Sequence, residues 1–447
     1  MVSSTSASSS PQPSRLIVVG GRRLEGEVTI GGSKNAALAI LAGALLAEEG
    51  ETTLTNLPRI GDIRTMAEVL GCFGVISRFS EDGTTARFDA SSLTSNEAPA
   101  EIVARMRASF WALGPILARC GEAKIAQPGG CNIGARPIDL HLKGLQALGA
   151  TVETNHGYVH ARAPKGGLQG ASVYLDFASV GATMNIMMAA SLAEGTTIIE
   201  NAAQEPDVED LGNFLNAMGA EVSGHGTGVL TVHGVKSLRA TNYAVISDRM
   251  EAGTYGLMAG ITGGDVFLKG ANASHLRPVT LKMIEAGMQI VESEDGVRCI
   301  GPEDRPVPTR ITALPHPGFP TDMQQAFTAY LSRANGTSVI TDQVYESRFR
   351  YLTELSKMGV VSQVDGRTAV VTGVPRLMGA EVEASDLRAG AALVVAALAA
   401  EGQTRISHIE HLDRGYEGLI EKLQKIGAQI WREDEHGRRI SSQRKAA

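Results

Sequence analysis

The segment Pro128 to His141, PGGCNIGARPIDLH, sets a thiol among three glycines and two prolines. That composition describes an exposed, flexible loop rather than a core position. Arg136 follows Cys131 by five residues and would draw the thiol pKa down from about 8.5. A thiol so placed can serve near neutral pH as a proton donor or as a nucleophile, and the residues alone leave both open. The other cysteines, Cys72, Cys120 and Cys299, lack such surroundings and read as buried and inert. No CxxC or Cys/His cluster joins any of the four, so neither a disulfide framework nor a zinc site is implied. A reducing, cytoplasmic setting fits that usage.

A second chemical signal lies at helix starts. The pattern recurs at Ser33-Lys34-Asn35, Arg107-Ala108-Ser109, Ser179-Val180-Gly181, Asp248-Arg249, Thr321-Asp322 and Asp386-Leu387-Arg388. Ser, Thr and Asp are capping types. Four of these six starts also carry Lys or Arg, although the helix dipole disfavours a cation there by several tenths of a kcal/mol. A local offset by the cap explains any one of them. Four in equivalent positions point to a cleft in which free backbone amides and basic side chains meet a phosphate or carboxylate.

The elements that must position these groups come from a repeat. A helix ending, L..(M/L/I)G(A/V/M), recurs with its glycine at Gly71, Gly149, Gly219, Gly287, Gly359 and Gly427, at intervals of 78, 70, 68, 72 and 68. Each unit opens with a small-residue helix: Asn35–Glu48, Ala108–Cys120, Gly181–Glu194, Met250–Ile261, Met323–Ser332 and Leu387–Glu401. A β-rich stretch follows, then an amphipathic helix such as Asp210–Met218 or Glu417–Ile426. The unit reads β-α-β-α-β-β, and six units divide most simply into two domains of three, meeting near Ile246. The opening helices carry almost no charge along their length and belong inside, with sheet and amphipathic helices around them. The GHGTG motif at 224–228 falls between two β-like stretches and reads as a turn.

Composition bounds the partners. A chain of 447 residues has room for two or three domains. Lys and Arg number 41 against 48 Asp and Glu, a formal charge of −7, which gives no electrostatic footprint for nucleic acid. The longest apolar run, Ala391 to Ala400, is about half of what a membrane span needs. No Gly-Lys dipeptide occurs, so a Walker A loop is absent. The 51 glycines exceed the usual share of about 7%, which suits tight turns and close helix contacts. Residues 1–14 are Ser/Pro-rich and read as a disordered tail, and 432–447 as frayed.

The segments GSKNAAL, RASFWALGP, PGGCNIGARP, SVGATMNIMMAASLAEGTTIIENAAQEP, PHPGFPTDMQ, YESRF, DLRAGAALV and DRGYE closely resemble the UDP-N-acetylglucosamine enolpyruvyltransferase family, in order, from Leu16 to about Trp431. The cysteine loop is the most specific of them. The resemblance implies an α/β fold, the two-domain inside-out α/β barrel of six β-α-β-α-β-β repeats. It places residues 34–246 in the first domain and 15–33 with 247–431 in the second. It implies transfer of the enolpyruvyl group of phosphoenolpyruvate to the 3′-hydroxyl of UDP-N-acetylglucosamine, releasing phosphate by addition and elimination, the first committed step of peptidoglycan synthesis. It implies no cofactor, no metal and no obligate protein partner. The alternatives are the shikimate 3-phosphate enzyme of the same fold, which lacks the cysteine loop, and a noncatalytic UDP-sugar-binding paralogue.

By match to those motifs, Cys131 is the expected general acid toward the methylene carbon, able to carry a phospholactoyl adduct and open to alkylation by the family's inhibitor fosfomycin. Asp322 is the expected base for the sugar hydroxyl, while its plainer reading is a helix cap. Lys34, Arg136 and Arg414 are expected on the phosphate and carboxylate of phosphoenolpyruvate, with Arg388 close by. The nucleotide sugar is expected along Asn35, Arg107, Arg136, Pro137, Ile138, Asp139, Leu140, Phe177, Ala178, Ser179, Val180, Gly181, Asp322 and Val344. Trp111 either packs near it or is an ordinary core residue, and His141 reads as structural. Phe177 stands where some family members have Lys, so ring packing would replace one charge contact.

Overall fold

A computed structural model describes residues 14–128 and 137–440. Two hydrophobic cores divide these residues. One is built from Ala36 to Val245, the other from Leu16 to Ile30 together with Met250 to Ile430. Among the described residues six sheets of four or five strands and two two-stranded pairs surround them, and none closes on itself, so the six-unit arrangement comes from separate sheets rather than a continuous barrel. The repeating sheet combines one parallel pair with an antiparallel run. Thr52–Thr55, for example, lies parallel to Asn242–Ala244 and antiparallel to Ala86–Asp89, which pairs with Ile76–Phe79. The pairing with Asn242–Ala244 brings the third unit back to the first and closes the ring of three. In the second core the N-terminal strands take the corresponding place. Arg15–Val19 lies between Gln403–Ser407 and Gln429–Glu433, and Glu25–Thr29 pairs with Asp265–Lys269.

Within each core the opening helices are buried along almost their whole length. Ala36 to Gly43, Ala182 to Ala190, Met250 to Ile261 and Arg388 to Ala399 are all buried. Small residues allow this, because Ala and Gly let helix backbones approach without a charged chain to desolvate. In the second core the helices Arg249–Ile261, Gln324–Leu331 and Leu387–Ala399 pack on one another. The apolar faces of the second helices, such as Val208, Leu211, Phe214 and Leu215 of Pro206–Ala217, fill the space beneath the sheets.

Several boundaries differ from the sequence pattern. The glycine that ends each amphipathic helix with positive φ is Gly149, Gly219, Gly287, Gly359 or Gly427 in five units, but Gly74 rather than Gly71 in the first. There the helix runs to Cys72 with Phe73 as its cap, so the left-handed position falls later in LGCFG. Four opening helices have the expected side-chain caps, Ser33, Ser179, Asp248 and Asp386. The other two start as 3-10 turns behind Met106 and Pro320, with no side-chain cap. Beyond Arg432 the chain is paired rather than frayed as far as Ile440, since Arg439–Ile440 adds to Arg432–Glu433. The 224–228 stretch is the turn between Glu221–Ser223 and Val229–His233.

The chain passes between the cores twice, side by side. Gly32 bridges Ser247, Ser33 N donates to Ile246 O at 2.7 Å, and Asn56 Nδ2 donates to Val245 O at 2.8 Å. Gly32 is required here: a Cβ would sit 1.7 Å from Asn56 O. The next residue but one along is Lys34.

Candidate active site

Lys34 opens the helix Lys34–Gly43 behind its cap Ser33, whose Oγ donates to Asp207 at 2.7 Å. Its backbone N donates to Asp248 Oδ2 at 3.1 Å, and its Nζ lies 2.7 Å from Asp62 Oδ2. Asp62 sits in the first turn of Gly61–Cys72, where the helix dipole favours an anion. Its other oxygen accepts from Arg414 Nε at 2.8 Å, and Arg414 Nη2 donates to Arg105 O at 3.2 Å. Lys34 and Asp62 belong to the first core and Arg414 to the second, so one carboxylate joins cations of the two cores.

A matching group lies on the far side. Asp322, in the turn Thr321–Met323, accepts from Arg348 Nη2 at 2.7 Å through Oδ1 and from Arg388 Nε at 3.2 Å through Oδ2. The cap reading of Asp322 is thereby corrected: Pro320 stands at the start of the turn, and this carboxylate binds arginines. Arg388 is in the first turn of Leu387–Ala399, with its backbone N held by Asp386, and its Nη1 donates to Tyr416 at 3.2 Å. Asp342 fixes the loop around this group by accepting from Thr321 Oγ1 at 2.6 Å and from the amides of Val344 and Tyr345 at 2.9 Å each. Val344 is thus brought beside the Asp322 turn.

Asp62 and Asp322 therefore each bridge two cations, and Arg388 and Arg414 both act electrostatically on Lys34. Burial comes first in pushing the Lys34 ammonium below its ordinary pKa; Asp62 opposes that, and the two arginines add to it. Burial is the largest single influence on Arg388 and lowers it, but Asp322 together with Tyr416 and Asp248 outweighs it and holds the guanidinium above its usual value. Such a gathering of like charge, with Lys34, Arg348 and Arg388 largely buried, is set up to receive an anion.

The second expected group converges through a residue outside every prediction. Asn185 is fully buried in Val180–Ala190. Its Oδ1 accepts from Gly114 N at 2.7 Å, and its Nδ2 donates to Phe110 O at 3.3 Å and His141 Nδ1 at 3.1 Å. One amide thus ties together the turn Arg107–Ala112, the helix Asp139–Ala147 and the helix Val180–Ala190. Arg107, Asp139, Leu140 and the 177–181 segment consequently start from one junction. A Cβ on Gly181 would lie 3.0 Å from the His141 ring and from Trp111 Nε1, so the ring systems close over that glycine. Phe177 is 42% exposed at the mouth of this group. His141 is buried, with its ring edge-to-face against Phe110.

Cys131 and Arg136 lie outside the described residues. Pro128 and Pro137 to Leu140 flank them, between the strand Glu122–Ala126 and the helix Asp139–Ala147. The reading of the remaining cysteines as buried holds for Cys299 alone: Cys72 is half-buried and Cys120 exposed. Both sit at the last position of a helix, where the chain leaves the core. Burial nonetheless raises all three thiols, Cys299 to about 12, which keeps them poor nucleophiles.

Sequence reasoning missed Asp62, Asn185 and Arg348. Arg348 lies in YESRF, so a signal existed. It is 4% exposed, and its Nη1 is buried without a partner among the described residues. Asn185 likewise lies in the segment beginning SVGATMN, whereas Asp62 carries no motif of its own. No cluster of His, Cys, Asp or Glu suited to a metal ion occurs among the described residues, and no helix there is long and apolar enough to cross a membrane.

Comparison with known proteins follows the same lines. Residues 18–423 match the family described as EPSP synthase (3-phosphoshikimate 1-carboxyvinyltransferase). The chain is 52% identical over 424 residues to UDP-N-acetylglucosamine 1-carboxyvinyltransferase 1 of Halalkalibacterium halodurans, covering 94% of this chain and 96% of that one. It is 52% identical over 419 residues to UDP-N-acetylglucosamine 1-carboxyvinyltransferase 2 of Carboxydothermus hydrogenoformans, covering 94% and 99%. The enolpyruvyl transferase NikO from Streptomyces tendae superposes with a TM-score of 0.86 at 26% identity, over 95% of this chain and all of that one. EPSP synthase from Acinetobacter baumannii shares the fold, with a TM-score of 0.73 at 20% identity, over 94% of this chain and 100% of that one. The chain belongs to the EPSP synthase family of carboxyvinyltransferases, and within it to the UDP-N-acetylglucosamine 1-carboxyvinyltransferases.

Proposed function

We propose that this protein transfers the enolpyruvyl group of phosphoenolpyruvate to the 3′-hydroxyl of UDP-N-acetylglucosamine and releases phosphate, opening peptidoglycan synthesis in the cytoplasm. The observation that carries this reading is the pair of carboxylates, Asp62 and Asp322, each bridging two cations drawn from separate elements. Lys34, Arg348, Arg388 and Arg414 gather four cations where a small ligand with a phosphate and a carboxylate can meet them, and charge-assisted contacts of this kind are the strong ones. The 52% identity to enzymes named for this transfer supports the same substrates.

In this reading Lys34, Arg388 and Arg414 hold the two anionic groups of phosphoenolpyruvate, joined by Arg136 from the cysteine loop. Cys131 gives a proton to the methylene carbon. Asp322 takes the proton of the sugar hydroxyl as its oxygen bonds to the adjacent carbon. The resulting tetrahedral ketal loses a methyl proton and its carbon–phosphate oxygen bond, which regenerates the double bond and frees phosphate. The sugar nucleotide lies along the Asn185 junction, from Asn35 and Arg107 past Pro137 to Leu140 and Phe177 to Gly181, with Val344 at the Asp322 end. We further propose that the two cores are two domains, 34–246 and 15–33 with 247–431. Ligand anions held by cations of both would favour closure to the extent that they bind the closed state better.

The deciding experiment measures phosphate release with phosphoenolpyruvate and UDP-N-acetylglucosamine, and separately with shikimate 3-phosphate as acceptor. Turnover with the sugar nucleotide is expected. No turnover, or turnover with shikimate 3-phosphate alone, overturns the assignment.

A further inference from the structure

Asp62 lies outside every motif that carries the resemblance, yet it occupies the centre of the cation group. Its side chain is 4% exposed, against 15% for Lys34 and 43% for Arg414. Resting on the reading that this group receives a phosphate-bearing substrate, we propose that Asp62 is a positioning residue: its two oxygens, one on Lys34 and one on Arg414, set the spacing of two cations carried by opposite cores. It does so without touching the reacting atoms. The helix dipole favours a carboxylate in the first turn of Gly61–Cys72 and disfavours the ammonium at the start of Lys34–Gly43, so the bridge offsets one by the other.

The charged groups facing Lys34 come from four elements. Asp62 is on Gly61–Cys72, Arg388 on Leu387–Ala399, Arg414 follows Glu410–Asp413, and Asp248 caps Arg249–Ile261. Asp248 is committed to backbone, accepting from the amides of Met250 and Glu251 and from that of Lys34. Burial and both arginines press the Lys34 side chain toward its neutral form, and Asp62 is the group that opposes them. A neutral amine would hold a phosphate far less firmly than an ammonium. A carboxylate inside the cradle also repels an incoming anion, so positioning and competition predict opposite results when it is removed.

Competitive acetylation of Lys34 with acetic anhydride across a pH series, read by mass spectrometry, reports its titration without any substrate. In Asp62→Asn the midpoint is expected to move down by about one pH unit or more, the size of effect an opposite charge at this range produces. In Arg414→Gln, which leaves Asp62 to Lys34 alone, it is expected to move up. An unchanged midpoint in Asp62→Asn overturns the proposal. Should circular dichroism show that variant unfolded, the absence of an upward movement in Arg414→Gln overturns it instead. In turnover, Asp62→Asn is expected to raise KM for phosphoenolpyruvate by roughly an order of magnitude, whereas a lowered KM would mark Asp62 as a competitor. Failure of the wild type to turn over sinks the reaction assignment and leaves the labelling result to decide Asp62.

Discussion

At the scale of single residues the proposed reaction asks for two kinds of acid–base group. Asp322 is tethered by Arg348 and Arg388, both nearly fully buried, while Cys131 belongs to a glycine-rich stretch of sequence outside the described residues. Positioned proton transfer is worth roughly 10²- to 10⁴-fold in rate. Asp322→Asn keeps an oxygen for the arginines but cannot take the proton. Its kcat is expected to fall by that range while KM for UDP-N-acetylglucosamine changes less than tenfold; steady-state kinetics would show the reverse split if Asp322 only bound substrate. For Cys131 the acidity of the group decides. Cys131→Ser should lose most turnover because an alcohol is a far weaker acid, and Cys131→Asp should keep a measurable part. A Ser variant of wild-type rate would remove the proton-donor role, as would fosfomycin treatment that leaves residue 131 unalkylated by mass spectrometry remove its place in the site.

At the scale of elements the question is how three separate helix starts come to one place. Asn185 does this with one side-chain amide, accepting from the Gly114 N–H and donating to the Phe110 carbonyl and to His141. Replacing it by Leu removes the side-chain acceptor of Gly114 N and leaves Phe110 O with Leu113 N alone, and a buried group so orphaned costs about 1–3 kcal/mol. Asn185→Leu is therefore expected to lower the melting temperature and to raise KM for UDP-N-acetylglucosamine more than KM for phosphoenolpyruvate. Equal effects on both Michaelis constants would show that the junction does not hold the sugar-nucleotide side in particular. The capping pattern belongs to the same scale. Ser33, Ser179, Asp248 and Asp386 cap as their types suggest, whereas Thr321 and Asp322 begin a 3-10 turn, which frees the Asp322 carboxylate for the arginines.

At the scale of the whole molecule the two cores are joined at a polar seam. Asp210, on Pro206–Ala217, accepts from Tyr243 Oη at 2.6 Å and from Ile246 N at 3.3 Å, just before the chain crosses. Burial raises its pKa to about 6, above the usual carboxylate range. A carboxyl whose folded pKa is raised binds its proton more tightly in the native state than in the unfolded one. Its contribution is therefore full below the unfolded value and is lost as pH rises to about 6. Asp210→Asn removes that slope while keeping one side-chain oxygen for the Ile246 amide, and Tyr243 Oη still reaches the residue 210 carbonyl at 3.2 Å. Thermal melts from about pH 4 to 7 should show the variant gaining on the wild type by up to roughly 3 kcal/mol, because each pH unit separating the folded and unfolded titrations is worth about 1.36 kcal/mol. A constant difference across that range would place the pH sensitivity elsewhere. The seam also contains Arg249 with Asp207 at 3.4 Å and the His316 amide donating to Glu205 at 3.2 Å, so relative movement of the cores must exchange these contacts.

Much of this was legible in the residues themselves. Six small-residue helices with almost no charge along their length belong inside, so the repeat and the interior position of those helices follow from composition and spacing. A basic residue set against a helix dipole beside a capping residue identified Lys34 and Arg388 before any fold was known. The displacement of the first unit's glycine to Gly74 was hidden, because LGCFG offers two glycines and only the backbone conformation separates them. Asp62 and Asn185 were hidden for a deeper reason. A carboxylate in the first turn of a helix and a lone Asn among Met and Ala look the same in sequence whether they face water or a partner far along the chain. Tertiary packing decided that Asp62 meets Arg414 and that Asn185 meets Gly114 and His141, since the energy of a buried polar group lies in the partner that satisfies it and not in its own type.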